Sequence, residues 1–487
     1  MKYCAQNFVI GKLILLGLLI SNALFISPIC KAQNETIINV PGDFNTIQEG
    51  INAAQNGDTV LVDDGEYFEN INYRGKNIVV ASRFIIDGDY SHILNTIING
   101  SMYTLIDSAS CVTFVSGEDS TAVIQGFKIT GGKGTTYDLT NINPNWQQFT
   151  QEGGGIFLDQ SSATIKNNLI IENEAPLLAG YDFSGGGGIS SFLGNPHIYN
   201  NVIMSNYAGY ACGLVLNWSG GIIRNNVIYG NYGGEIEGAG GIMIWDVAQE
   251  PQVVENNTVV YNVSELTAGG IVNYNTPSII RNNIVWGNEQ QSGQQITGYE
   301  SATFEYCNTE ENYPGVGNIS VIPDFDTSSF LLNTSSLCVD AGNPGASFND
   351  IEDSNNPGFA LYPSLGGLRN DIGAYGGPGA SLLPYFEFIT GVENEKDFIP
   401  IEISLNQNYP NPFNPTTIIS YQIPEPGFVS LKIYNVLGKE ITTMVNEKKS
   451  AGEYKAEFDG SKLSSGIYFY KLFANGFSIG KKMMLLK

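Results

Sequence analysis

Short runs of aliphatic residues alternate with asparagine and glycine along the middle of the chain. Five copies of one pattern place an aliphatic residue, a variable residue and Asn-Asn before three mostly apolar residues. The second asparagine of each copy recurs at a mean spacing of about 29 residues, which is typical of stacked solenoid units. These asparagines are Asn168, Asn201, Asn226, Asn257 and Asn283.

A second motif, Gly-Gly followed by an aliphatic residue, alternates with the first. Each period therefore holds at least two short strands, and one coil alone cannot bury its aliphatic positions. Stacking coils about 4.8 Å apart pairs every strand with its neighbours above and below. The pattern predicts a right-handed parallel β-helix with asparagine ladders at its turns. The column expected to point inward is Ile156, Ile189, Leu214, Ile242 and Ile271.

A short helix is predicted to cap the first coil. Residues 45–48 form a plausible capping box with Asn45 as N-cap, and Ile47, Ile51 and Ala54 share one helical face before Gly57. The first coil strands are expected at residues 58–62, 77–80 and 96–98. This helix would shield the open end of the solenoid from strand-to-strand aggregation.

The C-terminal segment has a different, alternating pattern that predicts a small Ig-like β-sandwich over residues 401–487, after a linker at 379–400. The complete fold class is therefore all-β, a solenoid followed by a sandwich. The sandwich strands are expected at residues 417–422, 429–434, 440–444, 454–458, 466–473 and 477–486.

The N-terminus has the composition of a signal peptide, residues 1–32, with Lys2 and Lys12 beside an apolar run and cleavage expected after Ala32. The alternative is a lipoprotein anchored at Cys30, preceded by a poor lipobox. No later stretch is long and apolar enough to span a bilayer, so an integral membrane protein is not expected.

The charge restricts the partners. The net charge is −25, and the acidic residues concentrate before residue 404, so nucleic acid is not an expected partner. The acidity serves solubility or Ca²⁺ binding. Export permits disulfides, and the sequence leaves the pairing open among Cys111, Cys212, Cys307 and Cys338. The wide spacing of these cysteines fits no metal motif.

Two segments resemble known families. Residues 40–48 and 56–60 are similar to the opening of right-handed β-helix proteins of the pectate-lyase-like superfamily, and residues 340–344 and 369–376 to a segment that often closes them. The resemblance covers roughly residues 38–378 and implies a β-helix domain at 33–378.

The C-terminal segment resembles the type A sorting domain of the type IX secretion system. This implies the secretion machinery as a partner, and a protein released from the cell or attached to surface glycolipid. The residues that carry the resemblance are Pro410, Asn411, Pro412, Phe413, Asn414, Pro415, Gly438, Lys481, Lys482 and Lys487.

Catalysis would require particular side chains. The histidine and aspartate motifs of polygalacturonase-type hydrolases are absent. A Ca²⁺-dependent lyase acting on uronate glycans needs a base, for which Lys166 or Arg224 are candidates; the alternative is a salt-bridge ladder of Arg224, Glu255 and Arg281. Asp350, Glu352 and Asp353 could offer hard oxygen ligands to Ca²⁺ or form a solvated loop.

A row of aromatic and polar residues follows the Gly-Gly motif and is expected, from strand alternation, to face solvent. Such a row suits sugar rings, although loops carrying Trp146, Tyr181, Tyr210 and Tyr232 could fold over it. Binding of polysaccharide or surface glycan is thus the leading hypothesis, with a lyase and a structural or adhesive protein as alternatives. The candidate ligand-binding residues are Phe192, Trp218, Trp245, Asp246 and Tyr274.

Overall fold

The computed structural model describes residues 35–234, 238–246, 251–274, 276–290, 294–383, 404–405, 408, 411, 413–423, 427–436, 439–449, 452–474 and 477–486. The predicted signal peptide and residues 384–400 of the predicted linker lie outside this set. The chain divides into two compact units, residues 1–389 and 390–487, and each has its own hydrophobic core.

Three long parallel sheets form the solenoid, which confirms the predicted β-helix. Sheet A contains Ile37–Val40, Thr59–Val62, Val79–Ser82, Val123–Gln125, Thr164–Lys166, His197–Tyr199, Gly221–Arg224, Gln252–Glu255, Ile279–Arg281 and Thr303–Glu305. Sheet B contains Gly65–Tyr67, Thr96–Asn99, Lys128–Thr130, Leu169–Ile171, Val202–Met204, Val227–Tyr229, Thr258–Val260, Ile284–Trp286 and Asn308–Thr309. Sheet C contains Ile71–Asn72, Val112–Phe114, Ile156–Asp159, Ile189–Phe192, Leu214–Asn217, Ile242–Trp245, Ile271–Tyr274 and Ile296–Thr297.

Two smaller sheets lie beside these. A short parallel sheet contains Glu174–Ala175, Tyr207–Ala208, Tyr232–Gly233, Val263–Ser264 and Glu289–Gln290. A mixed sheet, here called the inserted sheet, is built from segments between coil strands and was not predicted. It contains Ser108–Ala109, Gly134–Asp138, Phe149–Glu152 and Phe183–Gly185.

Equivalent residues of successive coils lie over one another, as the repeat predicts. In sheet C, Ile156 pairs with Ile189, which pairs with Leu214, and the column continues through Ile242 and Ile271. All five side chains are completely buried. Their burial on the inner face supplies the main driving force for coil stacking.

The predicted capping helix is present at Ile47–Ala53, with Ile47, Ile51 and Ala54 in the core. Its N-cap is Thr46 rather than Asn45, because the Thr46 side chain accepts a hydrogen bond from the Glu49 amide at 3.1 Å. The other short helices are Phe84–Asp87 and Ser91–Asn95, with 3₁₀ turns at Gly100–Met102, Leu139–Asn141, Tyr299–Ser301 and Ala346–Phe348.

A closing segment, residues 319–383, covers the outer face of sheet B. Phe330, Ile372 and Tyr375 pack there against the valines and isoleucines of the sheet strands, so these strands are buried on both faces. The four cysteines Cys111, Cys212, Cys307 and Cys338 are buried, and no disulfide joins them.

The second unit consists of two antiparallel sheets, and its strands lie close to the predicted ranges. One sheet contains Ser404–Leu405, Thr416–Ile423 and Gly452–Asp459, and the other contains Gly427–Asn435, Glu440–Lys449, Gly466–Ala474 and Phe477–Leu485. Buried residues from both sheets, including Tyr421, Leu431 and Tyr470, form its core.

Candidate functional site

A cleft of about 430 Å³ opens on the outer face of sheet C, between that sheet and the inserted sheet. Its volume is within the range of small-molecule sites. Three of the four tryptophans of the chain line it. The lining residues are Leu139, Trp146, Gln148, Thr150, Phe183, Phe192, Tyr210, Asn217, Trp218, Met243 and Trp245.

The inserted sheet covers one end of the aromatic row. The prediction that the entire row faces solvent is therefore wrong at that end. The strands Gly134–Asp138 and Phe149–Glu152 form an antiparallel pair, and Tyr137 from this pair packs on Phe192 with ring centroids 4.1 Å apart. Phe192 is therefore buried, whereas Tyr274 at the other end of the row is 47 % exposed. Burial, the alternative that the sequence left open, applies to the first part of the row.

Neighbouring side chains hold in place the two tryptophans that are predicted to bind a ligand. Trp218 lies at a turn with φ 48°, and its indole Nε1 donates a hydrogen bond to the Asp246 carboxylate at 2.9 Å. Trp245 stacks on Tyr274 with centroids 4.4 Å apart and an interplanar angle of 10°. Asp246 and Tyr274 thus support the cleft walls without being part of its lining.

A buried polar network lies at the base of the cleft. The Glu152 carboxylate accepts hydrogen bonds from the hydroxyls of Ser190 and Thr150, both at 2.7 Å, and from the hydroxyl of Tyr210. Because Glu152 is completely buried, desolvation raises its pKa to about 7. Neighbouring side chains of this network, Thr150 and Tyr210, line the cleft.

Sequence reasoning missed Glu152 and the apolar wall of Leu139, Phe183 and Met243. Glu152 directly precedes a Gly-Gly-Gly run, but nothing in its local pattern distinguishes a buried carboxylate from an exposed one. Tyr210 is a candidate from the sequence because its loop enters the Gly-Gly motif. Its contact with Glu152 depends on a coil two periods away, which the sequence does not reveal.

The candidate lyase bases lie in sheet A, and the described lining of the cleft does not contain them. Arg224 Nη2 lies 2.9 Å from Glu255, and Arg281 Nε lies 3.1 Å from the same carboxylate. Glu255 is almost fully buried, so the predicted salt-bridge ladder is present. Lys166 sits at the end of Thr164–Lys166 beside Gln125 and Tyr199 in register.

The proposed Ca²⁺ ligands do not converge. Asp350 is buried and accepts hydrogen bonds from the backbone amides of Asp371 and Gly377. Glu352 and Asp353 lie on a mostly exposed segment, residues 351–362, here called the surface loop. They accept hydrogen bonds from the amides of Gly358 and Asn355, both at 2.8 Å. Within the described ranges, no group of three or more acidic, histidine or cysteine side chains is arranged to hold a metal ion.

The sorting motif is partly visible. Phe413 is buried against Phe458, and its backbone exchanges hydrogen bonds with Met484 and Leu486. The Asn411 side chain accepts from the Met484 amide at 2.8 Å, and Asn414 and Pro415 are exposed. Lys481 and Lys482 lie on Phe477–Leu485. Pro410, Pro412, Gly438 and Lys487 lie outside the described residues.

These observations define an all-β protein in which a parallel β-helix carries an aromatic surface cleft and an antiparallel sandwich follows. Residues 407–486 match a family described as the secretion system C-terminal sorting domain, which confirms the resemblance of this segment. The domain indicates type IX secretion, with release or surface attachment. No curated protein matches the chain, and no solved structure matches it. No helix in the described part of the chain is long and apolar enough to cross a membrane.

Proposed function

We propose that the β-helix is a glycan-binding passenger, delivered outside the cell by its sorting domain and by the predicted signal peptide, residues 1–32. The observation that carries this proposal is the convergence of Trp146, Trp218 and Trp245 on a single cleft. Indole faces pack well on the C–H faces of sugar rings, and large aromatic side chains left partly open to solvent mark binding sites.

The polar groups of the cleft complement such a ligand. Gln148 and Asn217 offer amides, and Thr150 and Tyr210 offer hydroxyls, all suited to sugar hydroxyl groups. The alternative of a lyase receives less support, because the candidate base Arg224 is held by Glu255. The alternative of a purely structural protein does not account for an aromatic cleft of this size.

Substitution of the cleft tryptophans tests the proposal. Trp218→Ala and Trp245→Ala should each weaken affinity for a polysaccharide that the unmodified protein binds by about fivefold to tenfold, since each removes a stacking surface worth about 1–1.4 kcal/mol. Affinity gel electrophoresis measures this change as reduced retention. Tyr232→Ala is the matched control, because Tyr232 is an exposed aromatic residue on the short parallel sheet, and its retention should be unchanged.

Unchanged retention of both tryptophan variants on every polysaccharide that the unmodified protein binds would refute the proposal. Release of unsaturated sugars from uronate polymers, seen as new ultraviolet absorbance that a chelator abolishes, would favour the lyase alternative instead.

A further inference from the structure

The aromatic row of sheet C ends in an open ring. Phe192, Asn217, Trp245 and Tyr274 are Cα partners in four successive coils. Phe192 and Asn217 are 1 % and 2 % exposed, whereas Tyr274 is 47 % exposed. One face of the Tyr274 ring is stacked on Trp245, so its exposed surface lies on the opposite face and at the ring edge. This surface is continuous with the cleft through Trp245, and contiguous open apolar surface marks an interaction site.

The coil that follows Tyr274 does not continue the stack. Its strand pairs Thr297 with Val272, so Tyr299, two residues further along the chain, falls level with Tyr274. Between Thr297 and Tyr299 the backbone turns at Gly298, which has φ 72°, and Tyr299 starts a short 3₁₀ turn. The residue that would carry the next ring of the row therefore leaves the direction of the strand.

The ring of Tyr299 is directed to the interior. Its centroid lies 5.8 Å from that of Phe304 and 4.8 Å from that of Tyr313, and both of these residues belong to the buried core of the solenoid. In the described part of the chain, Trp245 is the one ring that packs on Tyr274. The second face of Tyr274 is thus free of aromatic contacts and lies over the coil that follows.

A sugar ring stacked on this free face would lie on the outer surface of the coil that contains Thr297 and Glu300. Thr297 is half-buried on the outer side of its strand, because the preceding Ile296 belongs to the core, and Glu300 is exposed. Their hydroxyl and carboxylate oxygens are acceptors for the hydroxyl groups of a sugar. The free face of Tyr274, together with Thr297 and Glu300, is here called the end platform.

The stacked pair Trp245–Tyr274 separates the end platform from the cleft. Trp245 lines the cleft, and Tyr274 stacks on it from the following coil. Trp218, a second cleft tryptophan, directly follows Asn217 at the level of the preceding coil. From that level to a ring on the end platform is three coil spacings, about 14 Å. A single sugar is too short to contact both places, whereas a polymer chain reaches both.

The row is covered at its other end. Tyr137 of the inserted sheet packs on Phe192 with ring centroids 4.1 Å apart, and Trp218 packs on Phe192 at 6.2 Å. A chain whose end lies in the cleft cannot continue across the outer face in that direction. Its remaining units extend toward Tyr274, along the axis of the solenoid.

The charge of this surface restricts the polymer. The described lining of the cleft contains no lysine, arginine, histidine, aspartate or glutamate, and the end platform carries the carboxylate of Glu300. A uronate or sulfate group would lose hydration in the cleft without a cationic partner, which is costly. The net charge of −25 adds repulsion. These features favour an uncharged chain.

We infer that the free face of Tyr274 is a second sugar subsite, and that the ligand is an uncharged polysaccharide whose chain runs along the solenoid axis from the cleft to the end platform. This inference rests on the proposed glycan-binding function and specifies the length and the chemical class of its ligand.

Covering the end platform tests the inference. Thr297→Trp places an indole beside the free face of Tyr274 and leaves the Trp245–Tyr274 stack in place. Affinity for a hexasaccharide should fall by about fivefold to tenfold, since one ring-stacking contact is lost. Affinity for the corresponding disaccharide, held in the cleft alone, should be unchanged. The probes are oligomers of two to six units from cellulose, xylan, mannan and laminarin, measured by isothermal titration calorimetry.

Two further variants are controls. Thr303→Trp adds the same indole to the next strand of the chain, on the outer face of sheet A, where Thr303 is exposed. It should leave both affinities unchanged. Tyr274→Phe keeps the ring face and removes the hydroxyl, so it should bind the hexasaccharide as tightly as the unmodified protein does.

Measurements on the unmodified protein keep the inference testable if Thr297→Trp does not fold. Affinity should rise by about fivefold to tenfold between the disaccharide and the hexasaccharide of the preferred polymer, as the second subsite becomes occupied. Oligogalacturonates of equal length should bind at least about tenfold more weakly than the neutral chain.

The outcomes separate the two proposals. Affinity that does not rise with chain length, undiminished hexasaccharide binding by folded Thr297→Trp, or preference for oligogalacturonates would each overturn the two-subsite inference. Glycan binding would still stand in those cases if Trp218→Ala weakened it. If Trp218→Ala and Trp245→Ala both leave the binding of every sugar unchanged, the proposed function itself fails.

Discussion

At the scale of single residues, the two asparagines of each repeat have different roles. The first of each pair adopts a left-handed conformation, with φ 54° at Asn225 and 51° at Asn256. The amides of these two residues donate to the closing segment, from Asn225 to the Ala374 carbonyl at 2.9 Å and from Asn256 to the Asp371 carbonyl at 3.0 Å. The second of each pair turns inward, where Asn226 donates to Asn257 at 3.0 Å. Asparagine suits both roles because it tolerates positive φ and both donates and accepts.

Removing one inner asparagine should destabilise the solenoid strongly. Asn226→Ala leaves the Asn201 side chain without its acceptor at 3.0 Å and the Ile198 carbonyl without its donor at 2.9 Å. Because each orphaned buried group costs about 1–3 kcal/mol, the free energy of unfolding should fall by about 3 kcal/mol or more. Urea unfolding followed by circular dichroism measures the loss.

Asn356→Ala provides the comparison, since Asn356 is exposed on the surface loop and its replacement should leave stability within about 0.5 kcal/mol. A loss no greater at Asn226 than at Asn356 would show that the ladder does not hold the coils together.

At the scale of elements, the closing segment contains a buried acidic pair. Burial and the neighbouring Asp371 raise the pKa of Asp350 to about 8, and burial raises the pKa of Asp371 to about 7. Both pKa values lie above the usual value of 3.8, so the folded state binds these protons more tightly than the unfolded chain. Their contribution to stability is therefore complete below about pH 4 and is lost as the pH rises to about 8.

Asp350→Asn should flatten this pH dependence. Stability of the unmodified protein should decline between about pH 4 and 8, by up to about 1.4 kcal/mol per pH unit for each titrating group. The variant should decline less, as measured by thermal unfolding across this range. Asp353→Asn, on the neighbouring surface loop, should retain the slope of the unmodified protein; identical slopes for Asp350→Asn and the unmodified protein would contradict the argument.

The elements that the sequence predicts are those whose pattern repeats. The five asparagines and the inward aliphatic column fix strand register, because each coil imposes the same alternation on the next. The inserted sheet occurs once, and its strands Gly134–Asp138 and Phe149–Glu152 pair with segments that no periodicity relates. The row of Phe192, Trp245 and Tyr274 was therefore predictable as a row, and the loop with Trp146 as a possible cover. The strand pair that places Tyr137 on Phe192 was not predictable.

At the scale of the whole molecule, the β-helix and the sorting domain are separate structural units. The core of the β-helix and that of the sandwich share no residue, and the family match is confined to residues 407–486. Sugar binding should therefore depend on the first unit, and type IX export on the second. Separate cores allow one unit to be weakened while the other keeps its stability.

Phe413→Ala tests this separation in a host that has the type IX system. The substitution removes a buried ring that packs on Phe458, at a cost of about 3–5 kcal/mol to the sandwich, so the protein should accumulate in the periplasm instead of reaching the surface or medium. Ile418→Ala, at an exposed position of the same unit, should be exported normally. Purified Phe413→Ala should still bind the preferred sugar with unchanged affinity. Loss of that affinity would show that the cleft depends on the sorting domain, and normal export would show that recognition does not require its folded core.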